Sequence, residues 1–157
     1  MALTAAQLHF LSTQRVAHLA TCDVHGRPHV VPVCYACDRS ALYSVIDAKP
    51  KRVPAQRLKR LRNIAQNPRV AVVVDRYDED WTRLAFLLLH GTARVLSTGA
   101  THARAIALLR QKYPQYRPMA LEDRPVIRIQ VERAVSWKYR LGRDRVRARD
   151  RTKKMEA

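Results

Sequence analysis

VAHLATCDVHGRPHVVPVCYACDRSALYSVI, residues 16–46, holds three short runs rich in β-branched and apolar residues, parted by two turn signals. Val16, Ala17, Leu19 and Ala20 open a first strand, and Asp23-Val24-His25-Gly26-Arg27-Pro28 ends it with a glycine and a proline. A second strand is expected over 29–36. Cys37-Asp38-Arg39-Ser40 then turns the chain into a third over 41–46. Strands joined this closely pair with their neighbours, so the segment predicts an antiparallel meander.

Towards the N-terminus, Thr4 is a candidate N-cap for a short helix whose apolar face is Leu8, Phe10 and Leu11, ending near Gln14. Towards the C-terminus, a proline-bearing loop over 47–54 leads to a helix over 55–66, with Leu58, Leu61, Ile64 and Ala65 on one face. Asn67-Pro68 stops it, because proline disfavours the helical conformation in the residue before it. A fourth strand follows over 69–75, then an acidic loop holding Asp78, Glu79, Asp80 and Trp81, then a long apolar strand over 83–96 in which Gly91 marks a bulge or bend. A helix over 101–113 is closed by Pro114. Finally Ile127, Ile129 and Val131 alternate with Arg128, Gln130 and Glu132, the pattern of a strand with one wet face, continuing through Val135 and Trp137. The fold class is therefore mainly β with inserted helices, a six-stranded antiparallel barrel over 1–140. Beyond it, Arg143, Arg145, Arg147, Arg149 and Arg151 alternate through a basic segment, 141–157, expected to be mobile.

At 157 residues the chain fits one domain, and its formal charge of +17 predicts attraction to anionic partners. The opening Met1-Ala2-Leu3-Thr4 has no basic segment leading into an apolar one, and no long apolar window occurs, so a soluble cytoplasmic protein without a membrane role is expected. Cys22, Cys34 and Cys37 are too few for a disulfide framework. Cys34 and Cys37, three apart on a strand, point to opposite faces and converge only if the strand ends between them, and His25 and His29 are kept off one helical face by Gly26-Arg27-Pro28. Neither pair predicts a metal site.

Between residues 49 and 74 stand Lys49, Lys51, Arg52, Arg57, Lys59, Arg60, Arg62 and Arg69 without one Asp or Glu. Such a stretch, placed where a helix meets buried strands, suits a phosphorylated ligand, with Arg offering bidentate contacts. A solvated basic helix face is the plainer alternative, and nucleic-acid binding is another. With 6% aromatic residues there are few platforms for stacking single strands, which disfavours the latter.

The strand, Gly26-Arg27-Pro28 turn and Val30-Val31-Pro32-Val33 strand together resemble the opening of the flavin-reductase-like split barrel of the pyridoxamine 5'-phosphate oxidase superfamily. Lys49-Pro50-Lys51, Arg60-Leu61-Arg62-Asn63-Ile64, Asn67-Pro68-Arg69-Val70 and Val74-Asp75, with the Tyr77–Trp81 loop and Gly91-Thr92-Ala93, resemble the superfamily's deazaflavin-dependent branch. The resemblance implies a reductase that uses coenzyme F420, with FMN in sister groups, and a homodimer holding its cofactor in a groove between subunits. It places the phosphodiester and polyglutamate tail on Lys51, Lys59, Arg60, Arg62 and Asn63. Val31, Pro32 and Val33 form an apolar platform suited to the ring, Ile46 and Asp47 line the groove by similarity, and Trp81 covers the ligand or anchors its own loop. Hydride transfer then requires orientation and exclusion of water, and no covalent catalyst. Tyr35, Tyr77, Asp80 or water could supply a proton. The alternative enzyme is an FMN-dependent oxidase of a phosphorylated amine, which would need a second phosphate site.

Overall fold

The expected second strand does not run straight through 29–36. In the computed structural model, which describes residues 1–47 and 57–139, it stops at Val33 and resumes as a two-residue strand at Ala36. Seven strands stand where six were expected: β1 (Ala17–Cys22), β2 (Pro28–Val33), β3 (Ala36–Cys37), β4 (Ala41–Val45), β5 (Arg69–Arg76), β6 (Ala85–Leu96) and β7 (Val126–Lys138). The helices are α1 (Ala5–Thr13), α2 (Lys59–Gln66) and α3 (Ala100–Lys112). Loop 48–56, with Lys51, and the basic segment from residue 140 onward lie outside the described residues.

The sheet order is β2-β1-β5-β6-β7-β4-β3, antiparallel throughout. The simple meander is thereby corrected, since β4 pairs with β3 and β7, not with β2. β2 and β3 form opposite edges, yet only Cys34 and Tyr35 separate them in sequence. Three residue steps reach at most roughly 11 Å. The edges must therefore approach each other, and the sheet curls into a split barrel.

A buried corner makes that switch of partners possible. The Tyr35 N–H, leaving one ladder before joining the next, donates to the Tyr113 hydroxyl at 3.0 Å. That hydroxyl lies 2.9 Å from the Tyr35 carbonyl and 2.8 Å from the Arg15 carbonyl, which share its single proton. The Tyr35 hydroxyl donates to the Leu11 carbonyl at 2.7 Å. Lys112 donates to the same carbonyl at 2.9 Å with its amine 3.6 Å from the centre of the Tyr35 ring, and burial draws its pKa down to about 8. Although the strand breaks at this corner, Cys37 packs on one core and Cys34 on the other.

Those two cores lie on either side of β4, all of whose residues are buried. Leu42 faces the barrel interior with Leu11, Leu19, Val72, Leu87 and Ile127. Ala41, Tyr43 and Val45 face the other way, beneath Ile106 and Leu109 of α3. The alternation is the two-residue period of a strand covered on both faces.

Several local expectations hold. Thr4 and Gln7 form a reciprocal capping box at the start of α1. The register shifts between His90 and Gly91, where a Cβ on Gly91 would lie 2.0 Å from the Gln130 carbonyl oxygen. α2 begins at Lys59, later than the pattern suggested, and buries Asn63 where Ala65 was expected.

Gly91→Ala is expected to lose about 3 kcal/mol of stability in urea unfolding, because backbone has to shift to admit the methyl group. Tyr113→Phe strands the Tyr35 N–H and should lose about 2 kcal/mol in the same assay with the fold retained by circular dichroism.

Candidate functional site

α2 carries no acidic residue, and three polar bonds clamp it to the β1–β2 hairpin. Asn63 Nδ2 donates to Thr21 Oγ1 at 3.0 Å, Asn67 Nδ2 to Cys22 Sγ at 3.0 Å, and Lys59 Nζ meets Asp23 Oδ2 at 3.0 Å. Asp23 also accepts from the His25 and Arg27 N–H groups at 3.0 and 3.1 Å, with Gly26 at φ 72° supplying the left-handed turn residue. The Lys59 contact first, and then these backbone donors, hold the Asp23 carboxyl down to about 2. Lys59 and Asn63 thus fasten the helix, and Asn63 is buried at 1% exposure.

Arg60 and Arg62 are left facing outward from this clamp. Arg62 is exposed, whereas Arg60 is half-buried and its Nε is shielded from solvent without a hydrogen-bond partner. Burial lowers the Arg60 pKa, and the charge of Asp47 acts in the opposite sense. Asp47 is itself buried, and its Oδ2 accepts from the Tyr116 hydroxyl at 3.1 Å. Ile46, also buried, donates its N–H to the Pro125 carbonyl at 2.8 Å. Beside it a cleft of about 660 Å³ opens between Leu61 of α2, Val95 and the 120–125 segment.

The Tyr116 hydroxyl also shares a hydrogen bond with the Cys34 thiol, and burial pushes its pKa far up. Cys34 directly follows the platform strand, in which Val31 and Val33 are half-buried and Pro32 is exposed opposite His18. Tyr116 therefore ties the end of Val31-Pro32-Val33 to Asp47, and Asp47 neighbours Arg60. The structure gathers these with Ile46 in one region. It does not bring Trp81 there: this residue, 65% exposed, starts a single 3-10 turn beyond Arg76, while α2 precedes Arg69. β5, eight residues long, spans about 25 Å between these two ends. Lys51 lies outside the described residues.

The candidate proton donors separate as well. Tyr35 is buried with its hydroxyl engaged, so it serves the corner; Asp80 caps the turn through the Thr82 N–H at 3.0 Å, and Tyr77 is exposed. Tyr116 was not expected at the site. It sits in a linker after Pro114, with no periodicity to mark it. Among the described residues no cluster of His, Cys, Asp or Glu could hold a metal ion, and no helix is long and apolar enough to cross a membrane.

A curled antiparallel sheet whose second strand changes partner at a corner, with a basic helix clamped on its first hairpin, defines a split β-barrel of the oxidoreductase type. The chain belongs to the pyridoxamine 5'-phosphate oxidase family, whose model matches residues 3–138. It is 31% identical over 138 residues to the 5a,11a-dehydrotetracycline/5a,11a-dehydrooxytetracycline reductase of Streptomyces rimosus subsp. rimosus, covering 87% of this chain and 84% of that protein. Among solved structures it resembles a conserved hypothetical protein from Mycobacterium tuberculosis, with TM-score 0.68, 21% identity and coverage of 89% and 88%. It also resembles an FAD-binding protein from Mesorhizobium loti, with TM-score 0.59, 27% identity and coverage of 87% and 95%.

The lowered Asp23 pKa makes a pH prediction. The carboxyl binds its proton more readily in the unfolded chain, so the Lys59–Asp23 clamp stabilises the fold fully above about pH 5 and loses its effect as pH falls toward 2. Thermal midpoints measured from pH 6 to pH 2.5 should fall less steeply for Asp23→Asn than for the natural chain.

Proposed function

We propose that this protein is a reductase that uses coenzyme F420 to reduce a small organic acceptor. The observation that carries the reading is Arg60, half-buried with an unpartnered Nε beside exposed Arg62 on a helix without acids. A phosphodiester or polyglutamate carboxylate satisfies such donors with charge-assisted bonds. The relative from Streptomyces rimosus supports reductase chemistry by its name. The FAD-binding neighbour favours flavin as the second reading of the cofactor.

Coenzyme F420, when bound and reduced, supplies a hydride. The residues of this chain would bind and orient it: Arg60 and Arg62 at the anionic tail, and Val31, Pro32 and Val33 under the planar ring. Asp47, held by Tyr116, lies close enough for its charge to favour the protonated Arg60 guanidinium. Water supplies the proton that completes reduction of the acceptor.

A second copy of the chain belongs to the same reading. The outer face of the sheet carries the rung Pro32, His18, Val73, Leu88 and Val135, and beside it Val30 and the Phe86–Trp137 pair. Val30 and Trp137 remain 58% and 44% exposed, an apolar face suited to a homodimer. Trp81, remote from Arg60 within one chain, would reach the cofactor groove only from a partner.

A binding titration should give micromolar or tighter affinity for coenzyme F420, weaker affinity for FMN, and a loss of about 10- to 100-fold in Arg60→Met, the worth of a hydrogen bond between charged groups. Binding of neither cofactor would overturn the reading; preference for FMN would establish the flavin alternative. Sedimentation should show a dimer that Val30→Glu weakens.

A further inference from the structure

Tyr116 ends a single 3-10 turn, Pro114–Tyr116, that follows α3, and it is fixed by backbone and ring alike. Its N–H donates to the Tyr113 carbonyl at 3.0 Å, and its ring meets the Tyr113 ring edge-on with centroids 5.5 Å apart. Arg110 Nε donates to the Tyr116 carbonyl at 3.4 Å. The residue is 3% exposed, so its hydroxyl has little freedom to move.

That hydroxyl stands between two groups, and its single proton orders them. Burial keeps the proton on the oxygen. It goes to Asp47 Oδ2 at 3.1 Å, which leaves the Cys34 thiol to donate to the hydroxyl oxygen. Three side chains therefore run in series from the residue after Val33, at the end of the apolar platform, to the acid beside Arg60.

Asp47 acts on Arg60 without consuming it. Its charge favours the protonated guanidinium, yet among the described residues no ion pair joins the two, and the Arg60 Nε stays shielded and unpartnered. A carboxylate free to turn toward a nearby guanidinium forms the paired hydrogen bonds that the fork of donors favours. Such a pair would occupy the donors that an anionic ligand needs. The bond from Tyr116 engages Asp47 Oδ2 elsewhere.

We propose that Tyr116 is a positioning residue: by holding Asp47 it keeps the Arg60 guanidinium open to a phosphate or carboxylate anion. Without the hydroxyl, Asp47 turns to Arg60, the two charges pair, and the protein's own carboxylate takes the place of the ligand. For coenzyme F420 the role rests on the reductase reading; for a simple anion it does not.

The test is calorimetric titration of coenzyme F420 and of inorganic pyrophosphate into the full-length protein and four variants: Tyr116→Phe, Arg60→Met, Tyr116→Phe with Asp47→Asn, and Tyr116→Phe with Arg60→Met. The pyrophosphate binding lost in Arg60→Met is the part that reports on the cradle. Tyr116→Phe should weaken both ligands about tenfold, the worth of one charge-assisted hydrogen bond. Adding Asp47→Asn should restore affinity to within about threefold of the natural chain, and Arg60→Met should cost nothing further in the Tyr116→Phe background. A merely structural tyrosine gives no such rescue, because Asp47→Asn then only removes a second buried group. Absence of Arg60-dependent pyrophosphate binding, unchanged affinity in Tyr116→Phe, no rescue, or additive losses from Tyr116→Phe and Arg60→Met would each overturn the proposal. Should Tyr116→Phe alone fail to fold, its combination with Asp47→Asn, which strands no carboxylate, decides: near-natural pyrophosphate affinity supports the assignment and a tenfold loss overturns it. The expected pyrophosphate pattern without any binding of coenzyme F420 would leave the assignment standing and remove the reductase reading.

Discussion

One buried hydroxyl carries the closure of this fold. A strand that abandons one neighbour for another must pass through residues whose backbone groups belong to neither ladder, and a buried unpaired N–H costs about 1–3 kcal/mol. The Tyr113 hydroxyl takes the Tyr35 N–H and stands within reach of the Tyr35 and Arg15 carbonyls. Because Tyr113 caps the end of α3, the helix that covers one face of β4 also fixes the corner through which β2 becomes β3. Packing and hydrogen bonding are thereby coupled: α3 cannot shift from its core without opening the barrel edge.

The same economy governs the positive charge. Within the described part of a stretch read as a candidate anion site, the cations divide into those with internal duties and those without. Lys59 neutralises Asp23, and Asn63 bonds Thr21; together they fasten α2 to the first hairpin. Arg60 retains a donor that nothing in the described chain satisfies, and Arg62 points to solvent. A rigidly clamped helix that keeps one unsatisfied Arg60 donor beside exposed Arg62 is preorganised for an anionic ligand, since little ordering cost remains on binding.

Much of the architecture was legible residue by residue. Thr4 announced a capped helix, Pro68 and Pro114 ended two others, and Gly91 marked the bulge, because caps, prolines and close backbone approaches act over a few residues. The alternation of Ile127, Ile129 and Val131 was correctly assigned to a strand, though its polar neighbours Arg128 and Gln130 are half-buried rather than wet. The division of 29–36 was not legible. Its residues look equally extended on both sides of the corner, and nothing local distinguishes a strand that keeps its partner from one that exchanges it.

The candidate site shows the same boundary. Sequence by itself determined that a barrel of short antiparallel strands carries an acid-free basic helix and a Val31-Pro32-Val33 strand, because hydrophobic period, turn chemistry and charge sign are properties of neighbouring residues. Only the tertiary structure decided that Tyr116 joins Cys34 to Asp47, that Lys59 is occupied while the Arg60 Nε is not, and that Trp81 stands at the far end of β5. Those outcomes depend on groups 36 to 82 positions apart in the chain, Lys59 with Asp23 at one extreme and Tyr116 with Cys34 at the other, meeting within hydrogen-bond distance. Such meetings are set by how the sheet closes, and no local pattern encodes them.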